Sequence, residues 1–178
     1  MEITYYVYSG FQRHSFDYSK VYRLSEIPPE MAESALKVFP MRLTPGMELR
    51  TSLQDFVREK GLKAPFVMTC CGSVTKITLR FAQKPDGGIN DIKTFNEHFE
   101  ITSLVGTFSS ELLEGCECHL HITLGRADGS TLSGHLVGDA IIFTTAEVVL
   151  GECTDAVFTR EFDEATGFDE LVVKPRKD

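Results

Sequence analysis

The chain has 178 residues, 42% of them hydrophobic and 25% charged, with a net charge of −8. That is the balance of an ordinary globular protein, long enough to bury a sizeable core. The acidic total argues against a direct grip on nucleic acid, which depends on Lys and Arg displacing counterions from phosphates. No run reaches the roughly 20 apolar residues of a membrane-spanning helix. The start, Met1-Glu2-Ile3-Thr4-Tyr5-Tyr6, lacks the basic and apolar regions of a secretory signal. Five cysteines without framework spacing fit a reducing compartment, so an intracellular protein with structural thiols is expected.

Residues 1–37 read as an N-terminal extension. Ile3–Tyr8 is a β-prone run ended by Ser9-Gly10, His14 stands alone in a polar stretch, and Pro28-Pro29 can start a short helix over Glu30–Lys37. The main domain, residues 38–173, opens with Val38–Leu43, an edge-type strand because Pro40 has no N–H for a ladder. Thr44-Pro45-Gly46 turns the chain. Thr51-Ser52-Leu53-Gln54 has the form of a capping box, and Leu53, Phe56 and Val57 share a helical face before Gly61 stops it.

Strand signals dominate from there. Ala64–Cys71 is a continuous apolar run, Gly72-Ser73 breaks it, and Val74–Phe81 alternates. Lys84–Asn90 is a polar loop, and Phe99–Gly106 is a strand. Ala140–Phe143 and Glu147–Leu150 form one long strand or a broken pair. Val157–Phe162 and Glu170–Val173, separated by Asp163–Gly167, are expected to finish the sheet, and residues 174–178 are a basic tail. The whole predicts an α+β domain with a largely antiparallel sheet of seven to eight strands and one main helix.

Between these strands lies the stretch that carries the chemistry. Cys118–Leu124, the turn Gly125–Thr131 and the return Leu132–Val137 read as a β-hairpin around Asp128-Gly129. Three of the chain's five histidines sit on it. Alternation puts His119 and His121 on one face and Leu120 and Ile122 on the other. A two-residue turn at Asp128-Gly129 pairs His121 with Leu136 and sends His135 to the opposite face. A three-residue connection, Ala127-Asp128-Gly129 with Gly129 left-handed, pairs His121 with His135 instead, their Cβ atoms about 5 Å apart. Three imidazoles then converge as in a zinc site with one open position, and the same ligands suit other divalent transition metals.

These blocks, in order, resemble a known family. They are Thr44–Leu49, the strand ending Cys71-Gly72-Ser73, Ile77–Arg80, Phe99–Thr107, His119–Leu124, Asp128-Gly129, Gly134-His135-Leu136 and Ala146–Gly151. Together they are similar to the PPC domain (plants and prokaryotes conserved), found alone in bacteria and archaea and behind AT-hooks in plant nuclear proteins. The resemblance implies a homotrimer, and a metal site on His119, His121 and His135. Plant members use an Arg-Phe-Glu-Ile segment for partner binding, which reads His98-Phe99-Glu100-Ile101 here, with the arginine replaced. The chain holds no Arg-Gly-Arg-Pro AT-hook.

Three functions are consistent with this reading. One is a trimeric metal-binding module with a small anion or other small molecule at the metal. Another is a metal-dependent enzyme, for which Glu100 is a candidate base or a support behind a ligand. The third is a DNA-associated regulator acting through partners.

Overall fold

The computed structural model describes residues 33–82, 91–109 and 118–177. The expected strand Ile3–Tyr8, His14 and the loop Lys84–Asn90 lie outside them. Eight strands and one helix occur among the described residues: β1 Leu36–Leu43, α1 Leu49–Lys60, β2 Pro65–Arg80, β3 Ile92–Phe95, β4 Phe99–Phe108, β5 Cys118–Gly125, β6 Thr131–Cys153, β7 Ala156–Asp163 and β8 Phe168–Pro175. The fold is α+β, and every strand pair in it is antiparallel.

The main sheet runs β1-β6-β5-β4-β2-β3, and β6 pairs with β2 as well. Strands β2, β4, β5 and β6 therefore hydrogen-bond in a closed ring, which covers most of the ring strands' edges. One core draws on all four, through Ile77 and Leu79, Leu104, Leu120 and Leu124, and Leu136. Helix α1 packs Leu49, Leu53 and Val57 against that core at 0–2% exposure, each contributing about 1.5–3 kcal/mol.

Several expectations need correction. The helix begins two residues before Thr51 because Glu48, not Thr51, is its N-cap. One Glu48 carboxylate oxygen accepts from the Thr51 N–H at 2.5 Å and the other from the Ala140 N–H at 3.0 Å. This joins helix to sheet, and no local pattern announces it. The expected helix over Glu30–Lys37 gives way at Leu36 and Lys37, which open β1 opposite Cys153 and Glu152. As expected, β1 is a terminal strand of the sheet, with Pro40 in it.

Gly72 does not end a strand. Strand β2 runs through it with φ +148°, and a Cβ there would lie 2.0 Å from the Thr145 carbonyl oxygen. The glycine is a bulge that lets β2 approach β6 closely, and the ladder register shifts across it. The two runs 140–143 and 147–150 belong to one strand, the 23-residue β6.

The last two strands do not finish the sheet. They pair with each other as a separate two-stranded ribbon. The chain leaves the main sheet at Asp155, whose carboxylate accepts from the Ala35 N–H at 2.8 Å. Phe158 then packs at 8% exposure and donates its N–H to the Lys63 carbonyl at 2.9 Å. Among the described residues no helix is long and apolar enough to cross a membrane.

Candidate metal centre

The hairpin turn decides the site. The Arg126 N–H donates to the Ser130 carbonyl at 2.8 Å, and the Gly129 N–H to the Arg126 carbonyl at 3.0 Å. Gly129 takes φ +82°, a left-handed conformation that glycine adopts without steric cost. The Asp128 carboxylate accepts from the Ser130 N–H at 2.9 Å and locks the loop. Ala127-Asp128-Gly129 is thus the odd-length connection, and His121 pairs directly with His135.

Alternation does the rest. Leu120, Ile122 and Leu124 turn inward at 0–2% exposure, which leaves His119 and His121 exposed on the other face and His135 half-buried beside them. The three ring centroids are 5.0, 5.0 and 5.2 Å apart. The Nε2 atoms of His119 and His121 are 3.0 Å apart, and one nitrogen from each of the three rings lies within 4.8 Å of the others. The structure brings together the three residues expected to meet.

The surroundings of two of them, His119 and His135, favour neutral rings. Burial, then the Arg160 guanidinium and His121, holds the His119 pKa below the usual imidazole value. His135 is pushed down to about 4 by burial, then by Arg80 and the two other histidines. Neutral imidazole is the form that binds a metal.

Strand β6 passes between β5 and β2 at this point, so His135 faces Arg80 across the other ladder. The Arg80 Nη2 lies 3.3 Å from His135 Nδ1. The β7-β8 ribbon supplies further walls. A cavity of about 260 Å³ is lined by His119, His135, Arg80, Arg160, Phe168 and Glu170, among others. A second, of about 450 Å³, shares Arg80, His135 and Phe168 and adds His121 and Ser133.

Glu100 is elsewhere. It is exposed on β4 and pairs with Ser73 and Gly125. Gly125 is four residues along β5 from His121, about 13 Å of strand, and Glu100 lines neither cavity. Sequence reading missed Arg80, Arg160, Phe168 and Glu170, which come from distant strands; alternation names a residue's face but not which strand it will lie beside.

Known proteins share this architecture. The signature of the Plants and Prokaryotes Conserved (PCC) domain covers residues 31–154. The bifunctional protein GlmU of Synechococcus sp. (strain JA-2-3B'a(2-13)) is 36% identical over 148 residues, 83% of this chain and 22% of that protein. The chain thus spans about a fifth of the length of that relative. A hypothetical protein from Salmonella superposes with a TM-score of 0.74 at 31% identity, over 82% of this chain and 99% of the other. A metal-containing protein from Archaeoglobus fulgidus superposes with a TM-score of 0.67 at 30% identity, over 79% and 95% of the two chains. By its domain signature and by this shared fold, the chain belongs to the Plants and Prokaryotes Conserved domain family, the PPC domain that its sequence blocks resemble.

Proposed function

We propose that the protein is a homotrimeric, intracellular metal-binding module that holds one zinc ion per chain on His119, His121 and His135. The observation that carries this reading is the convergence of one nitrogen from each ring within 4.8 Å. Tetrahedral zinc with Zn–N bonds of 2.0–2.1 Å separates its ligand nitrogens by about 3.3 Å. The 3.0 Å between the Nε2 atoms of His119 and His121 is close to that spacing. A set of neutral imidazoles suits zinc, copper or nickel better than magnesium or calcium. The Archaeoglobus relative called a metal-containing protein supports the same reading.

Three protein ligands leave a coordination position for water or a small molecule, and the adjoining cavities give such a ligand room. The terminal strands of the sheet support assembly. Leu36 and Val38 on β1 are each 49% exposed, an apolar edge that a neighbouring copy would cover. The free thiols Cys70, Cys71, Cys118 and Cys153 suit a reducing interior.

Metal analysis of the purified protein tests the centre. About one zinc per chain is expected in the wild type and none when all three histidines are replaced by alanine. Equal metal content in the two proteins would overturn the reading.

A further inference from the structure

Arg80 and His135 make a contact that is incompatible with metal ligation by His135. The Arg80 Nη2 lies 3.3 Å from His135 Nδ1, and a guanidinium only donates. Nδ1 is therefore the acceptor, and in a neutral ring the proton sits on Nε2. If Nδ1 is to ligate a metal, its lone pair is already taken by the Arg80 N–H. If Nε2 is to ligate, Nδ1 must become the N–H and can no longer accept from Arg80. By either route, Arg80 has to leave His135 before three imidazoles can hold a metal.

Arg80 cannot go far. Its backbone pairs directly with that of His135 across β2 and β6. It lines both cavities, of about 260 and 450 Å³, and only the smaller one brings it together with Arg160 as well as His119 and His135. Arg160 donates from Nη2 to the neutral hydroxyl of Thr107 at 3.0 Å. Asp169 and Glu170 also line that smaller cavity. Among the described residues neither acid forms an ion pair with Arg80 or Arg160.

We propose that Arg80, with Arg160 across the cavity, recognises a small carboxylate, and that this anion replaces His135 as the partner of Arg80 when the metal is loaded. The proposal rests on the three-His metal reading. Two planar guanidiniums match the two oxygens of a carboxylate. The cavity volume lies just below the 300–1,000 Å³ of drug-sized sites and so favours a ligand of few atoms.

The consequence is coupling. An anion that draws Arg80 away frees His135 for the metal, so each ligand tightens the other by the same factor. Without the anion, Arg80 competes with the metal for His135.

The test is zinc affinity of the metal-free full chain, read by competition with a chromogenic chelator. The pH and ionic strength are held constant in sodium perchlorate, with or without sodium acetate. Acetate should tighten zinc binding to the wild type by about 5- to 150-fold, the usual range for coupled sites. Arg80→Met should abolish the acetate effect yet bind zinc in perchlorate at least as tightly as the wild type, because the competitor is gone. Arg80→Lys keeps the charge without the planar fork and should show a smaller acetate effect than the wild type.

An Arg80→Met chain that binds zinc more weakly in perchlorate alone would make Arg80 a support of the ligands and overturn the proposal. So would a wild type whose zinc affinity ignores acetate, although the metal reading survives that result. A wild type that binds no zinc in either salt overturns both.

Discussion

Replacing His121 by alanine should remove the metal and leave the fold standing. His121 is exposed, and its main chain keeps its ladder partners Val105 and His135 whatever the side chain. A substitution of that kind changes stability by at most about 0.5 kcal/mol, or about 1–2 °C for a chain of this size. Its neighbour behaves oppositely. Leu120 is fully buried, and Leu120→Ala should cost about 2–5 kcal/mol. Zinc supplied at a hundred times its Kd stabilises the native state by about 2.7 kcal/mol, which raises Tm by about 5–11 °C. Calorimetric melting with and without zinc therefore separates the cases. The wild type should shift by that amount, His121→Ala by less than 2 °C, and Leu120→Ala should melt early yet still respond to zinc. An equal zinc-induced shift in wild type and His121→Ala would refute the assignment of His121 as a ligand.

Three further outcomes are expected. Light scattering should report a trimer, and a monomer across micromolar concentrations would defeat that part of the proposed function. Binding to bare duplex DNA near physiological salt should be weak or absent, given the net charge of −8; submicromolar affinity that falls steeply with salt would reveal a basic face. The metal-free chain should lose stability on acidification. Its His119 and His135 titrate below the ordinary imidazole value, His135 at about 4, so the unfolded chain takes up protons first. Stability then declines as pH falls below about 6.5 and the decline is complete near 4. Urea titrations at pH 7 and pH 5 measure it, and His135→Ala should flatten the slope.

What could be read from the sequence was local, and what could not was the neighbourhood of each strand. The face of His119 and His121 follows from alternation alone. The partner of His121 hangs on the turn length, which the sequence leaves open between two and three residues; the structure selects three, with Asp128 supplying the side-chain acceptor and Gly129 the left-handed φ. The start of α1 escaped because Glu48 is held partly by Ala140, far along the chain. Gly72 marks an irregularity correctly, but a bulge and a chain break have the same sequence sign. Strands β7 and β8 show why pattern is not topology. Their runs are as strand-like as those of the main sheet, and nothing in them says that they pair only with each other. That is also why Arg160 and Glu170 were invisible as parts of the site.

The charges of the site are compatible with the proposed anion ligand even though the protein is acidic. The net charge of −8 is a sum over the whole chain, and it bears on long phosphate backbones, which sample the whole surface. A small ligand sees only the groups beside it. Around the three rings stand two guanidiniums, Arg80 and Arg160, and two carboxylates, Asp169 and Glu170. The four that line the cavity cancel, Arg50 adds a further positive charge felt by His135, and His119 and His135 are held toward the neutral form, so the charge a bound divalent ion would bring has no protein counterpart within the cavity. At hydrogen-bond range in a partly buried site that charge is poorly screened. A negatively charged ligand at the open position supplies what the side chains do not, and the two arginines favour one with two oxygens. The −8 total that disfavours nucleic acid is thus compatible with a centre selective for small anions. On the proposed reading, the histidines would hold the metal and the arginines would choose what comes with it.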